Sequence, residues 1–224
     1  MKPLPQPLAA VFFDLDGTLA DSARDIHTAL AEVCRERGIA VPAFEHVREV
    51  VSRGARAILR TAVGDNEGAV AAALPRLLEI YAATGMPNTH VFPGIDALLE
   101  KLESQGARWG VVSNKNAELV ELVMQKLGYA SRAAAMVGGD TLPQRKPDPA
   151  PLLHACRLAD VDPTRCMYVG DDPRDIVAGR AAGMYTVAAA WGYLDGADPA
   201  GWQPDAIAAG ADEIAGWLDH HHER

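Results

Sequence analysis

The chain has 224 residues, 49% of them apolar and 23% charged, enough to bury a sizeable core in one domain or in a domain with a modest insertion. Its net charge of −9 works against non-specific nucleic-acid binding, although a local cluster of cations can still receive an anionic small molecule. No apolar run reaches the ~18 residues of a membrane helix, and Met1-Lys2-Pro3-Leu4-Pro5 breaks with prolines where a signal peptide needs a continuous apolar stretch, so the expectation is a cytoplasmic protein with no membrane partner.

The first element is the apolar run Val11-Phe12-Phe13, closed by Asp14-Leu15-Asp16-Gly17-Thr18-Leu19. It reads as a buried strand whose C-terminal tip is turned by Gly17. Side chains alternate along a strand, so Asp14 and Asp16 lean toward the same side of that tip. Two carboxylates placed together are costly unless a metal or a shared proton relieves them. A calcium loop fits poorly, because Gly17 falls at the fourth position and Leu19 stands where the glycine belongs. An Asx-rich turn is the plain alternative.

From Asp21 to about Asn88 no strand-like run occurs. Apolar residues recur at helical spacing instead, as in Ile26, Leu30 and Val33, then Val47, Val50 and Val51, then Leu74, Leu77, Leu78 and Tyr81. This predicts an all-helical insertion over residues 21–88, placed between a core of 1–20 and 89–224. The chain re-enters the core through Gly85-Met86-Pro87-Asn88 and Phe92-Pro93-Gly94. Inside the insertion, Ser52-Arg53-Gly54-Ala55-Arg56 is a basic turn beginning a helix. Arg53 and Arg56 are candidates to meet a carboxylate or second anionic group of a ligand, against the plainer reading of a solvated helix end.

Strands then alternate with helices. Trp109-Gly110-Val111-Val112 ends in Ser113-Asn114, Ala134-Ala135-Met136-Val137 in Gly138-Gly139-Asp140, and Cys166-Met167-Tyr168-Val169 in Gly170-Asp171-Asp172; Tyr185-Thr186-Val187-Ala188 follows Gly183. Helices are predicted over 95–102, 117–127, 150–158, 176–182 and 211–218. Strand alternating with helix is the pattern of a doubly wound parallel sheet. Such sheets bind ligands outside the C-terminal strand ends, where Asp14/Asp16, Ser113/Asn114 and Asp171/Asp172 would gather. Taken singly, Ser113-Asn114 and Asp171-Asp172 read as helix caps and Lys146-Pro147-Asp148-Pro149 as a loop before a helix. Cys34, Cys156 and Cys166 lack metal spacing and read as small buried hydrophobes. His220-His221-His222 would bind metal or be an added tail, and carries no functional weight.

Together these residues resemble a known family. Asp14-x-Asp16-Gly17-Thr18-Leu19, Ser113-Asn114-Lys115, Arg145-Lys146-Pro147-Asp148-Pro149 and Gly170-Asp171-Asp172-x-x-Asp175 occur in the order of the motifs of haloacid dehalogenase-superfamily phosphatases, and the resemblance spans nearly the whole chain. It implies an α/β fold, a Rossmann-like core with an inserted all-helical cap that selects the substrate. It makes Asp14 the nucleophile, Asp16 the acid/base, Lys146 a charge-neutralising clamp, and Thr18, Ser113 and Asn114 phosphoryl binders. Mg²⁺ is the implied cofactor, held by Asp14, Asp171 and the backbone carbonyl of Asp16, with Asp175 as an outer carboxylate.

The chemistry suits these residue types. A carboxylate attacking phosphorus gives an acyl phosphate that water can hydrolyse, dividing one hard step into two. Nucleophile and phosphate are both anionic, so a hard cation with oxygen ligands belongs between them. Asp16 has to protonate the leaving alcohol and then deprotonate water, which calls for a pKa above the ordinary ~3.9 of Asp. The dehalogenase branch resembles this pattern but lacks an acid at that position, so dehalogenation is disfavoured.

Two substrates compete for a small phosphorylated metabolite. Asp21-Ser22-Ala23 and the Gly-x-Arg of the insertion resemble phosphoglycolate phosphatases. Gly54-Ala55-Arg56-Ala57, Trp109-Gly110-Val111-Val112, Arg174 within the last motif, and Trp191-Gly192-Tyr193 with Trp202 resemble N-acetylmuramic acid 6-phosphate phosphatases, the reading slightly favoured here. A sugar phosphomutase of this pattern would carry a His where Ile26 stands and a Val at Thr18; His27 is one position late. A non-enzymatic binding module would be expected to have lost an acid, yet Asp14, Asp16 and Asp171 are present. A monomer or homodimer is expected.

Overall fold

A computed structural model describes residues 3–219 of the chain; the histidine run at 220–222 lies outside the described residues. The chain opens with β1 (Ala10–Phe13) and a short β2 (Ala20–Asp21). The insertion follows as α1 (Ala23–Arg37), α2 (Phe44–Glu49), α3 (Ala55–Val63) and α4 (Glu67–Ala83), with a short 3-10 turn at Val51–Arg53. β3 (His90–Val91) then pairs antiparallel with β2, so a two-stranded ribbon carries the chain out of the sheet and back. The remainder is α5 (Ile95–Ser104), β4 (Arg108–Val112), α6 (Ala117–Lys126), β5 (Ala135–Val137), α7 (Ala150–Leu158), β6 (Cys166–Gly170), α8 (Pro173–Ala181), β7 (Tyr185–Ala189), β8 (Ala206–Ala208) and α9 (Ala211–Asp219).

Six strands form one sheet in the order β5-β4-β1-β6-β7-β8, each pairing with its neighbours in parallel. Alternation along β1 divides its side chains between two cores. Val11 and Phe13 join Leu98, Leu99, Val120 and Ile214 on one face; Ala10 and Phe12 join Leu152, Ala155 and Ala178 on the other. Burial on both faces explains why β1 reads as an unbroken apolar run. The first of these cores continues into the insertion through Leu30, Val33, Leu59, Val70 and Leu77, so the helices pack on the sheet domain as one apolar cluster. The three cysteines are free and buried.

Two details depart from the predicted elements. β8 and the β2–β3 ribbon were not expected, being strands of two or three residues. α8 begins at Pro173 instead of Ile176, because Asp172 caps it and Asp175 returns the bond to the Asp172 N–H, forming a capping box. No helix among the described residues is long and apolar enough to cross a membrane.

Candidate active site

The C-terminal tips of β1, β4 and β6 lie side by side and deliver Asp14, Ser113 and Asp171 to one edge of the sheet. Beneath the helical insertion they meet a pocket lined by Asp14, Asp16, Ser113, Lys115, Lys146 and Asp175 on the core side and by Ser52, Ile58, Leu77 and Tyr81 on the insertion side.

Asp14 is buried. Its Oδ1 accepts from the Leu15 N–H at 2.7 Å and lies 3.1 Å from Lys146 Nζ. Both recorded partners use Oδ1, leaving Oδ2 without a hydrogen bond among the described residues. Lys146 is held from several directions. Its Nζ donates to Asp175 Oδ1 at 2.7 Å and to the Tyr168 hydroxyl at 2.8 Å, and that hydroxyl donates to the Val112 carbonyl. Burial works against the Lys146 charge, but Asp14 and Asp175 outweigh it and hold the ammonium above its ordinary value.

Asp14, Asp171 and Asp175 present carboxylate oxygens all within 4.8 Å of one another, and all three are buried. Burial pushes the Asp171 carboxyl well above its usual range, and the neighbouring Asp14 and Asp175 add to the shift. Burial likewise pushes Asp175 up to about 7, against the opposing pull of Lys146. Three buried acids facing a single ammonium leave an excess of negative charge, and their all-oxygen donor set suits a hard divalent cation. The residues present therefore fit the Mg²⁺ the sequence implies. Asp171 is oriented by Thr18 Oγ1 at 2.9 Å, by Ser52 Oγ at 2.8 Å and by the Tyr193 N–H at 2.8 Å. Gly17, with φ of +87°, leaves no room for a side chain: a Cβ there would collide with Asp171 Oδ2.

The other expected residues stand at differing distances from the pocket. Thr18 is buried, its hydroxyl donates to Asp171, and it is not among the pocket-lining residues. The Asn114 amide is spent on the Lys146 backbone, its Oδ1 accepting from Lys146 N and its Nδ2 donating to Lys146 O, both at 3.0 Å. Ser113 remains at the pocket with its hydroxyl able to donate. Asp16 lines the pocket with Asp14, and its carboxylate accepts from Lys115 Nζ, at 3.0 and 2.9 Å, and from Ser22 Oγ, at 2.5 Å. Arg53 pairs with Asp195 and Arg56 with Glu67. Neither arginine lines the pocket that holds Asp14; Arg53 instead lines a neighbouring cavity with Asp171 and Asp195.

Some side chains at the site were not among the expected site residues. Ser52 and Tyr81 reach the site from the insertion, and Arg174 ties the two parts together, pairing with Asp172 and donating to the Ser52 carbonyl at 2.7 Å. In the sequence Lys115 is the third residue of the Ser113-Asn114-Lys115 motif, and a Lys directly after a polar strand end is the signal that points to it.

Comparison with known proteins agrees with this geometry. The family model described as haloacid dehalogenase-like hydrolase matches residues 11–189. A phosphoglycolate phosphatase of Xanthomonas campestris is 46% identical over 88% of this chain and 90% of its own length. An N-acetylmuramic acid 6-phosphate phosphatase of Pseudomonas aeruginosa is 40% identical over 95% of each chain. The crystal structure of a predicted phosphoglycolate phosphatase from Haemophilus somnus superposes with a TM-score of 0.84 at 26% identity, covering 93% of this chain and 97% of the other. The chain belongs to the haloacid dehalogenase-like hydrolases, as one of the phosphatases of that family.

Proposed function

We propose that the protein is a Mg²⁺-dependent phosphomonoester hydrolase acting on a small phosphorylated metabolite through an aspartyl-phosphate on Asp14. The observation that carries this reading is Asp14 itself, held through Oδ1 by Lys146 and Leu15 with Oδ2 free, beside two further buried acids and under a pocket. Asp14 Oδ2 bonds to phosphorus as the ester oxygen leaves; that oxygen takes a proton from Asp16, which later accepts one from the water that hydrolyses the acyl phosphate. Lys146 neutralises charge beside the nucleophile, and the Ser113 hydroxyl donates to a phosphoryl oxygen. Asp14, Asp171 and Asp175 would hold Mg²⁺, which when bound supplies the positive charge that lets two anions meet.

The apolar wall of Ile26, Val51, Ala55, Ile58, Leu77, Leu78 and Leu119 supports a substrate with methyl groups to bury, and so N-acetylmuramic acid 6-phosphate. The 46% identity to a protein named phosphoglycolate phosphatase supports 2-phosphoglycolate as the second reading. A mutase is disfavoured: Ile26 occupies the pocket wall, while His27 bonds the Pro42 carbonyl at 2.9 Å and packs edge-on against Phe44. The insertion would select the substrate, since it supplies all of that wall but Leu119. Phosphate release with and without Mg²⁺, from both candidates and from p-nitrophenyl phosphate, tests the reading. Release that requires Mg²⁺ and vanishes in Asp14→Asn supports it; metal-independent release that survives that substitution overturns it.

A further inference from the structure

One polar atom of the pocket stands without a partner. Tyr81, on α4, is 4% exposed, and its hydroxyl makes no hydrogen bond to any described residue. Buried hydroxyls are almost always satisfied, so an orphan on a side chain that lines a ligand pocket points to the ligand as its partner. Burial pushes the phenol up, with Lys115 opposing, which keeps the hydroxyl a neutral donor.

Lys115 stands beside it, Nζ being 4.4 Å from the centre of the Tyr81 ring. An ammonium has three N–H donors. Two go to Asp16 Oδ1 and Oδ2, and the third has no acceptor among the described residues. Both side chains line the same pocket, with Leu77, Leu78 and Leu119 around them. An ammonium accepts no hydrogen bond, so a neutral ligand hydroxyl would leave its own proton unpaired in this apolar setting. A carboxylate brings acceptors only, two oxygens for the two donors that Tyr81 and Lys115 leave over.

We propose that the Tyr81 hydroxyl and the Lys115 ammonium form a carboxylate subsite, and that the enzyme selects phosphomonoesters that are also carboxylic acids. This deepens the phosphatase reading and rests on it. Both substrates named for the relatives above carry a carboxylate.

Matched substrates test it: 2-phosphoglycolate against ethyl phosphate, and N-acetylmuramic acid 6-phosphate against N-acetylglucosamine 6-phosphate, which lacks the lactyl acid. The wild type prefers the acid of at least one pair. Tyr81→Phe, which keeps the ring, lowers that preference in kcat/KM about tenfold, the scale of one lost hydrogen bond to a charged group, with the loss in KM. Lys115→Met lowers it further and Lys115→Arg restores part of it. Equal losses on both members of each pair, or no preference in the wild type, overturn the subsite while leaving the phosphatase reading intact. Absence of phosphate release from every ester, p-nitrophenyl phosphate included, overturns both.

Discussion

Ser52 donates a 2.8 Å hydrogen bond from the helical insertion to Asp171 Oδ2, one of the three clustered acids of the core. The contact is reinforced by Arg174, which grips Asp172 and bonds the Ser52 carbonyl. The position of the insertion is thereby tied to the orientation of the acid that would bind the cation. Ser52→Ala is expected to remove about 1 kcal/mol and lower the melting temperature by about 2–4 °C, with a rise in KM as the insertion docks less firmly. An unchanged melting temperature and KM would show the bond to be incidental.

Stability should depend on pH in a direction set by the acid cluster. Asp175 is raised to about 7 and Asp171 is also raised, so between about pH 5, above the ordinary carboxylate range in which the lowered acids Glu36, Glu67, Glu103, Asp140 and Asp162 titrate, and pH 7 the folded metal-free protein binds more protons at the cluster than the unfolded chain does. Its stability therefore falls as pH rises through that window. Mg²⁺ binds the ionised acids, so its stabilising effect should grow over the same range. Thermal melts at several pH values, with chelator and with Mg²⁺, check this. A metal-free melting temperature that climbs steadily from acid to neutral pH would contradict the assigned cluster.

Asn114 positions Lys146 through its backbone. Asn114→Ala should consequently cost mainly kcat, about 10²-fold if Lys146 shifts by the order of 1 Å, with KM little altered. A change confined to KM would return Asn114 to phosphoryl binding.

Arg53→Ala and Arg56→Ala remove exposed ion pairs, which typically contribute about 0–1 kcal/mol. Kinetics within about threefold of wild type are expected for both, since neither side chain lines the pocket. A KM raised by more than tenfold in either variant would place that arginine at the substrate after all.

Much of this was legible in the chain and part of it was not. β1, β6 and β7 are buried along their length and β4 beyond Arg108, so each is legible as an apolar run, and those of β1, β4 and β6 end in polar residues. The β2–β3 ribbon and β8 are too short to establish a period of two. Asp14, Asp16 and Asp171 were legible because they follow directly on strand ends, whereas Asp175 lies in the first turn of α8 and entered only through its motif. Their supporting contacts could not, because they join residues far apart in the chain: Thr18 reaches Asp171 across 153 positions and Lys115 reaches Asp16 across 99. Thr18 and Asn114 are sound hydrogen-bonding residues in the expected motifs, and only tertiary packing decides whom they serve. Tyr81 was hidden differently: on a helix its spacing is that of a core residue, and most of its ring is one.

The central claim is that Asp14 carries the phosphoryl group. Borohydride trapping during turnover, followed by mass spectrometry of the peptide containing residue 14, tests it most directly. Reduction of an acyl phosphate there would convert Asp14 to homoserine, only with substrate present and at no other acid. Continued phosphate release with Asp14 unmodified would contradict the account.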